Sequence, residues 1–178
     1  FASFDRALHN LPGSIFSIEG DEEARESAVA IVENLGGEYF FIEREAKPLY
    51  HAGACVVSNY LATIVDLGVK LLEAAGISRP AATRALLPLI FGTVNNIQSI
   101  GVPQALTGPI ARGDLSTVVK HLERIEEKVP ELLRLYSCLG YDTASVARAK
   151  GTIDEAREQE FKDLFAGKIS LVGQDTQV

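Results

Sequence analysis

The stretch KPLYHAGACVVSNYLATIVDLGVKLLEAAGI, Lys47 to Ile77, decides the fold. It reads as one helix of roughly eight turns at 3.6 residues per turn, long for a globular protein. Ala54, Val56, Val57, Leu61, Ile64 and Leu67 make it too apolar for an ordinary surface helix. Burial on most sides is therefore expected. Yet polar residues recur along it in two stripes. Lys47, His51, Cys55 and Ser58 share one face, and Asn59, Thr63, Asp66 and Lys70 follow a second, because successive residues turn by about 100°. Asp66 and Lys70, four apart, are expected to pair.

On the N-terminal side the pattern changes. Ser14 to Ile18 (SIFSI) reads as a short strand, and Asp21 followed by Glu22 and Glu23 reads as an N-cap with an acidic first turn. Apolar residues at helical spacing then run to Gly36-Gly37, and Tyr39 to Ile42 (YFFI) suggests a buried strand. Strand, helix and strand make one βαβ unit. One unit cannot cover both faces of a parallel sheet, so residues 1–44 read as the C-terminal remnant of a larger Rossmann-like α/β domain. The chain opens at Phe1 in an apparent loop at 1–13, and the natural polypeptide is expected to extend upstream. No Gly-x-Gly-x-x-Gly turn occurs, so the cofactor-binding residues are unknown from this sequence.

On the C-terminal side no strand is expected. A second helix runs from about Pro80 to Ser99 with Pro88 inside it, where a kink is expected. The loop Gly101 to Gly113 is dense in Gly and Pro, and Asp114 caps the helix DLSTVVKHLERIEEK. Pro130 starts a helix through Cys138, with short helices expected near 143–149 and 153–165. The fold class is thus mainly α: an all-α domain at 45–166, after the last βαβ unit of a truncated α/β domain, with a tail at 167–178.

Composition narrows the function. Of 178 residues, 47% are hydrophobic and 23% charged with both signs dispersed, which specifies a globular chain. A net charge of −7 without a basic stripe argues against nucleic acid and against anionic membranes. No uninterrupted apolar run is expected to span a bilayer, and with only Cys55 and Cys138 the default setting is the cytoplasm, with free buried thiols.

Lys47 and His51 stand at the start of the long helix, directly after the βαβ unit, where a cleft is expected. A charged lysine there can protonate a carbonyl being reduced, and a neutral histidine one turn on can orient substrate or relay the proton. Ser58 and Asn59 can position substrate or simply bond neighbouring helices. Arg112 at the mouth of the next helix can clamp a carboxylate or pair with a local acid, and Thr93, Asn95 and Asn96 offer further polar groups. A metal site from His51, Cys55 and His9 or His121 is disfavoured, since the ligand types are not clustered.

The order Phe16-x-x-Glu19-Gly20-Asp21-Glu22-Glu23-Ala24, Leu35-Gly-Gly, Lys47-x-Leu-Tyr-His-Ala-Gly-Ala, Ser58-Asn-Tyr-Leu, Leu71-Leu-Glu-Ala-Ala-Gly-Ile and Ala105-Leu-Thr-Gly-Pro-Ile-Ala-Arg-Gly-Asp114 resembles the C-terminal part of a Rossmann-like reductase family. That family is similar to ketopantoate reductase, 6-phosphogluconate dehydrogenase and pyrroline-5-carboxylate reductase. The resemblance covers about residues 1–165. It implies a 6-phosphogluconate dehydrogenase C-terminal-like helical domain that binds a small keto or imino acid and forms a homodimer. NADP or NAD would be held mainly by a preceding domain. Lys47 matches the lysine that protonates substrate oxygen in the wider superfamily, whereas His51 stands where an amide commonly follows. The same residues allow a second reading, a non-catalytic helical module for dimerisation or ligand sensing.

Overall fold

The computed structural model describes residues 11–171. The N-terminal part of the loop at 1–13 and most of the expected tail lie outside the described residues. Contacts divide the chain into two units, Phe1–Leu61 and Ala62–Val178.

The first unit is the expected βαβ. Strand β1 (Ile15–Ile18) pairs in parallel with β2 (Glu38–Phe41), with Ile15 opposite Glu38 and Ile18 opposite Phe41. Helix α1 (Glu22–Asn34) joins them, and Asp21 caps it by accepting from the Ala24 amide at 2.9 Å. Val32 and Ile18 are buried between helix and sheet. Gly37 is required at the entry to β2, because a Cβ there would meet the Phe16 ring at 2.6 Å and the Ser14 carbonyl at 2.9 Å.

β2 is not a buried strand. Tyr39, Phe40 and Phe41 are exposed, since two strands among the described residues leave that edge and face uncovered.

A 3-10 turn (Arg44–Ala46) leads into helix α2 (Lys47–Ala74), 28 residues without a break. The helix is as long as expected, but burial on most sides is overturned: only Leu67 and Val69 are buried. Val57 is 72% exposed and Tyr60 59%. The described residues do not cover its N-terminal half. By length and composition residues 44–74 would suffice to cross a bilayer, contrary to the expectation that no run qualifies.

The second unit is all helical. After the end of α2, α3 (Arg79–Ile100) starts with Ser78 at the cap and Pro80 in its first turn, and it passes through Pro88 without ending. The two helices are tied by an ion cluster. Asp66 pairs with Lys70 at 2.9 Å, as the i,i+4 spacing predicts, and also with Arg79, which reaches Glu73 at 3.0 Å. Beyond residue 90, the α3 side chains are exposed, Phe91, Val94, Ile97 and Ile100 among them.

The core of this unit lies in the last three helices. α4 (Leu115–Lys128) buries Val118, Leu122 and Ile125, spaced four and three apart on one face. α5 (Leu133–Lys150) and α6 (Glu155–Leu171) supply Leu133, Ala144, Ala147, Phe161 and Phe165, with Ile153 between them. The two short helices expected within 130–149 are one continuous helix. Gly140 in its middle does not break it, because the residue is fully packed against Phe165. Likewise α6 continues to Leu171, into the stretch read as tail.

Candidate functional site

The end of β1 and the start of α2 meet around a hollow of about 860 Å³ lined by Ser17, Glu19, Ile42, Arg44, Lys47 and, further along α2, Pro48, Tyr50 and His51. Lys47 and His51 come together here because they lie four apart on one helix, one turn from its start. The sequence alone points to these two; Glu19, Arg44 and Tyr50 are the residues it misses. Glu19 had a readable signal. It ends β1 just before Gly20, and open α/β sheets bind ligands beyond the carboxyl ends of their strands.

Within the hollow, Lys47 Nζ stands 2.6 Å from Glu19 Oε2. That oxygen is closed off from solvent and meets the ammonium as an ion pair. The Lys47 ammonium holds the Glu19 carboxyl below the usual carboxylate range, against partial burial, which would raise it, with Arg44 adding to the depression. His51 Nε2 lies 3.5 Å from Cys55 Sγ, one turn further on. Cys55 and Cys138 are free and half-buried.

Ser58 and Asn59 are exposed and engaged within their own helix. Ser58 Oγ is 2.7 Å from both the Ala54 carbonyl and Asn59 Oδ1. One hydroxyl proton cannot serve two acceptors, so turning the Asn59 amide to present its nitrogen gives each contact a donor. Neither lines the hollow.

Thr93, Asn96 and Arg112 belong to the second unit. Thr93 Oγ1 donates to the Leu89 carbonyl at 3.0 Å, and Asn96 is exposed on the same helix. Arg112 lies in a 3-10 turn (Ile110–Arg112) and borders a polar hollow with Thr152, Asp154, Arg157 and Glu160, a set that includes neither Thr93 nor Asn96. Nearby, Asp114 accepts from the Thr117 amide at 3.1 Å, the Thr117 hydroxyl at 2.6 Å and the Ser116 hydroxyl at 2.9 Å. The Thr117 and Ser116 donors bring its carboxyl down to about 2. Lys150 Nζ donates to the Leu106 carbonyl at 2.6 Å and fastens the Gly- and Pro-rich loop to α5.

A dinucleotide would need a phosphate cradle, and the turn between β1 and α1 does not provide one. Its helix N-terminus is occupied by the Asp21 carboxylate and followed by Glu22 and Glu23, which repel phosphate. Among the described residues no group of three His, Cys, Asp or Glu side chains is placed to hold a metal ion.

Residues 14–143 match a family described as "Domain of unknown function (DUF2520)". The chain is also similar to the protein TM1727 of Thermotoga maritima, known from a crystal structure. The two share 28% identity and superpose with a TM-score of 0.74, over 84% of this chain and 60% of that one. This chain thus spans less than two thirds of its structural relative. The comparison with curated proteins gives no match.

Proposed function

The chain belongs to the DUF2520 family, and on that footing we propose that it is the C-terminal portion of an NAD(P)H-dependent oxidoreductase that reduces a small keto or imino acid. The observation that carries this reading is the pairing of Lys47 with Glu19 in a hollow that also holds Arg44, Tyr50 and His51. A charged lysine beside an open, partly cationic hollow suits an anionic substrate whose carbonyl or imine needs a proton as it is reduced. In this reading the nicotinamide supplies the hydride and Lys47 the proton. His51 orients the substrate or relays the proton, and Arg44 is a candidate for the substrate carboxylate. In this reading the phosphates of NADP or NAD are held by a preceding domain, and the acidic turn after β1 is in keeping with that.

The resemblance to ketopantoate reductase, the 6-phosphogluconate dehydrogenase C-terminal domain and pyrroline-5-carboxylate reductase supports the same reading, and ketopantoate is the first substrate to try. The uncovered apolar faces of α2 and α3 support a homodimer, since contiguous exposed apolar surface marks an interface. The apolar stretch at 44–74 is then covered by protein, in a cytoplasmic enzyme. The same faces would serve a non-catalytic dimerisation or ligand-sensing module, and one experiment separates the two readings. The full-length protein is screened for NADPH and NADH oxidation against a panel of 2-keto acids and cyclic imines. A reductase oxidises cofactor with at least one of them. No oxidation, together with no cofactor binding by calorimetry, would leave only the non-catalytic reading.

A further inference from the structure

We propose that Glu19 is the positioning residue of this site: its carboxylate holds the Lys47 ammonium fixed at the wall of the hollow. The inference rests on the reductase reading, because a held ammonium matters to the reaction only if Lys47 delivers a proton.

Three observations carry it. The first is an asymmetry in exposure. The Lys47 side chain is 65% exposed and that of Glu19 only 25%. A long lysine chain in solvent samples many rotamers, whereas Glu19 is anchored at a strand end and is the fixed member of the pair. The second is that Glu19 Oε2 is shut off from water and meets no other donor among the described residues. A carboxylate oxygen in that state needs a cation beside it. This sets the pair apart from an ordinary surface ion pair, which contributes little.

The third is the company. Arg44 is a second fixed positive charge on the same hollow, with His51 and Tyr50 as the other titratable groups. A cation beside Lys47 repels its ammonium, and the Glu19 carboxylate offsets that.

The test follows the placement of Lys47 without any substrate. Full-length wild-type, Glu19→Gln and Glu19→Asp proteins are pulsed with acetic anhydride at one fixed pH. Labelling at each lysine is read by peptide mass spectrometry, with exposed Lys120 as the internal reference. In Glu19→Gln, Lys47 is freed from its partner and reacts about threefold or more faster relative to Lys120. Glu19→Asp, which keeps the charge, lies between. Unchanged labelling of the other lysines reports an intact fold.

Lys47 labelling in Glu19→Gln that matches wild type would overturn the proposal while leaving an active reductase intact. Faster labelling seen in a protein that oxidises no cofactor would overturn it through its premise, since the held lysine would then have no reaction to serve.

Discussion

Phe165 lies directly over Gly140, so that any Cβ on residue 140 would overlap the ring. The contact explains why α5 runs unbroken through a glycine. It also sets the distance between α5 and α6, the two helices that build most of the core. Gly140→Ala would gain helix propensity worth about 1 kcal/mol at an unconstrained site. Here the fully buried Phe165, stacked on Phe161, must move. The substitution is expected to destabilise by about 1–3 kcal/mol, as measured by urea unfolding. A gain in stability would mean that the two helices are not held this close.

Ser137, one turn before Gly140, is fully buried, and its hydroxyl has no partner among the described residues. A buried hydroxyl without a hydrogen bond is a cost with no return. Ser137→Ala should therefore leave stability unchanged or raise it by about 1 kcal/mol, unlike most core substitutions. The same urea titration reads the outcome, and a loss above that size would reveal a bonded hydroxyl.

Asp114 gives the second unit an acid-sensitive cap. Its carboxyl titrates at about 2 in the fold, below the ordinary 3.8, because Thr117 and Ser116 donate to the ionised form. A carboxyl lowered by folding stabilises the fold fully above its unfolded value, and this contribution is lost as pH falls through the folded one. The pH dependence of the melting temperature should thus carry a component between about pH 4 and pH 2 that disappears in Asp114→Asn. The variant should also melt a few degrees lower at neutral pH. Identical acid limbs for the two proteins would contradict the cap geometry.

Phe91 is 62% exposed on a helix whose C-terminal half buries nothing against the described residues. In a homodimer that covers this face, Phe91→Glu places a charge in an apolar interface. It should convert the dimer to monomer in sedimentation velocity, with helical content by circular dichroism retained. A monomeric wild type, or a dimer indifferent to the charge, would remove this face from the interface.

The parts of the fold legible in the sequence are those fixed by local chemistry. Asp21 and Asp114 cap as expected because a side-chain oxygen reaches an amide three residues on, and Asp66 finds Lys70 because i,i+4 places them together. Lys47 and His51 border one hollow for the same reason, four apart on one helix. What local chemistry does not contain was misread. The helix expected to stop at Cys138 runs on through Gly140, whose role is set by Phe165, distant in sequence. The α2 helix looked buried because apolarity reports the need for a partner, not whether this chain supplies one. Glu19 was passed over because its significance depends on a lysine brought to it by a βαβ crossover. Arg112 remains on a polar hollow of the second unit, where the sequence offered only its position before a helix.

If Lys47 is the proton donor of the proposed reduction, Lys47→Ala in the full-length protein removes the chemistry and spares the cofactor site. Turnover is measured with the substrate found by the cofactor-oxidation screen, and NADPH affinity by fluorescence titration. The account predicts that kcat falls about a hundredfold or more while the NADPH Kd stays within about twofold of wild type, because the phosphates are held elsewhere. Unchanged turnover, or parallel losses of turnover and NADPH affinity, would contradict it.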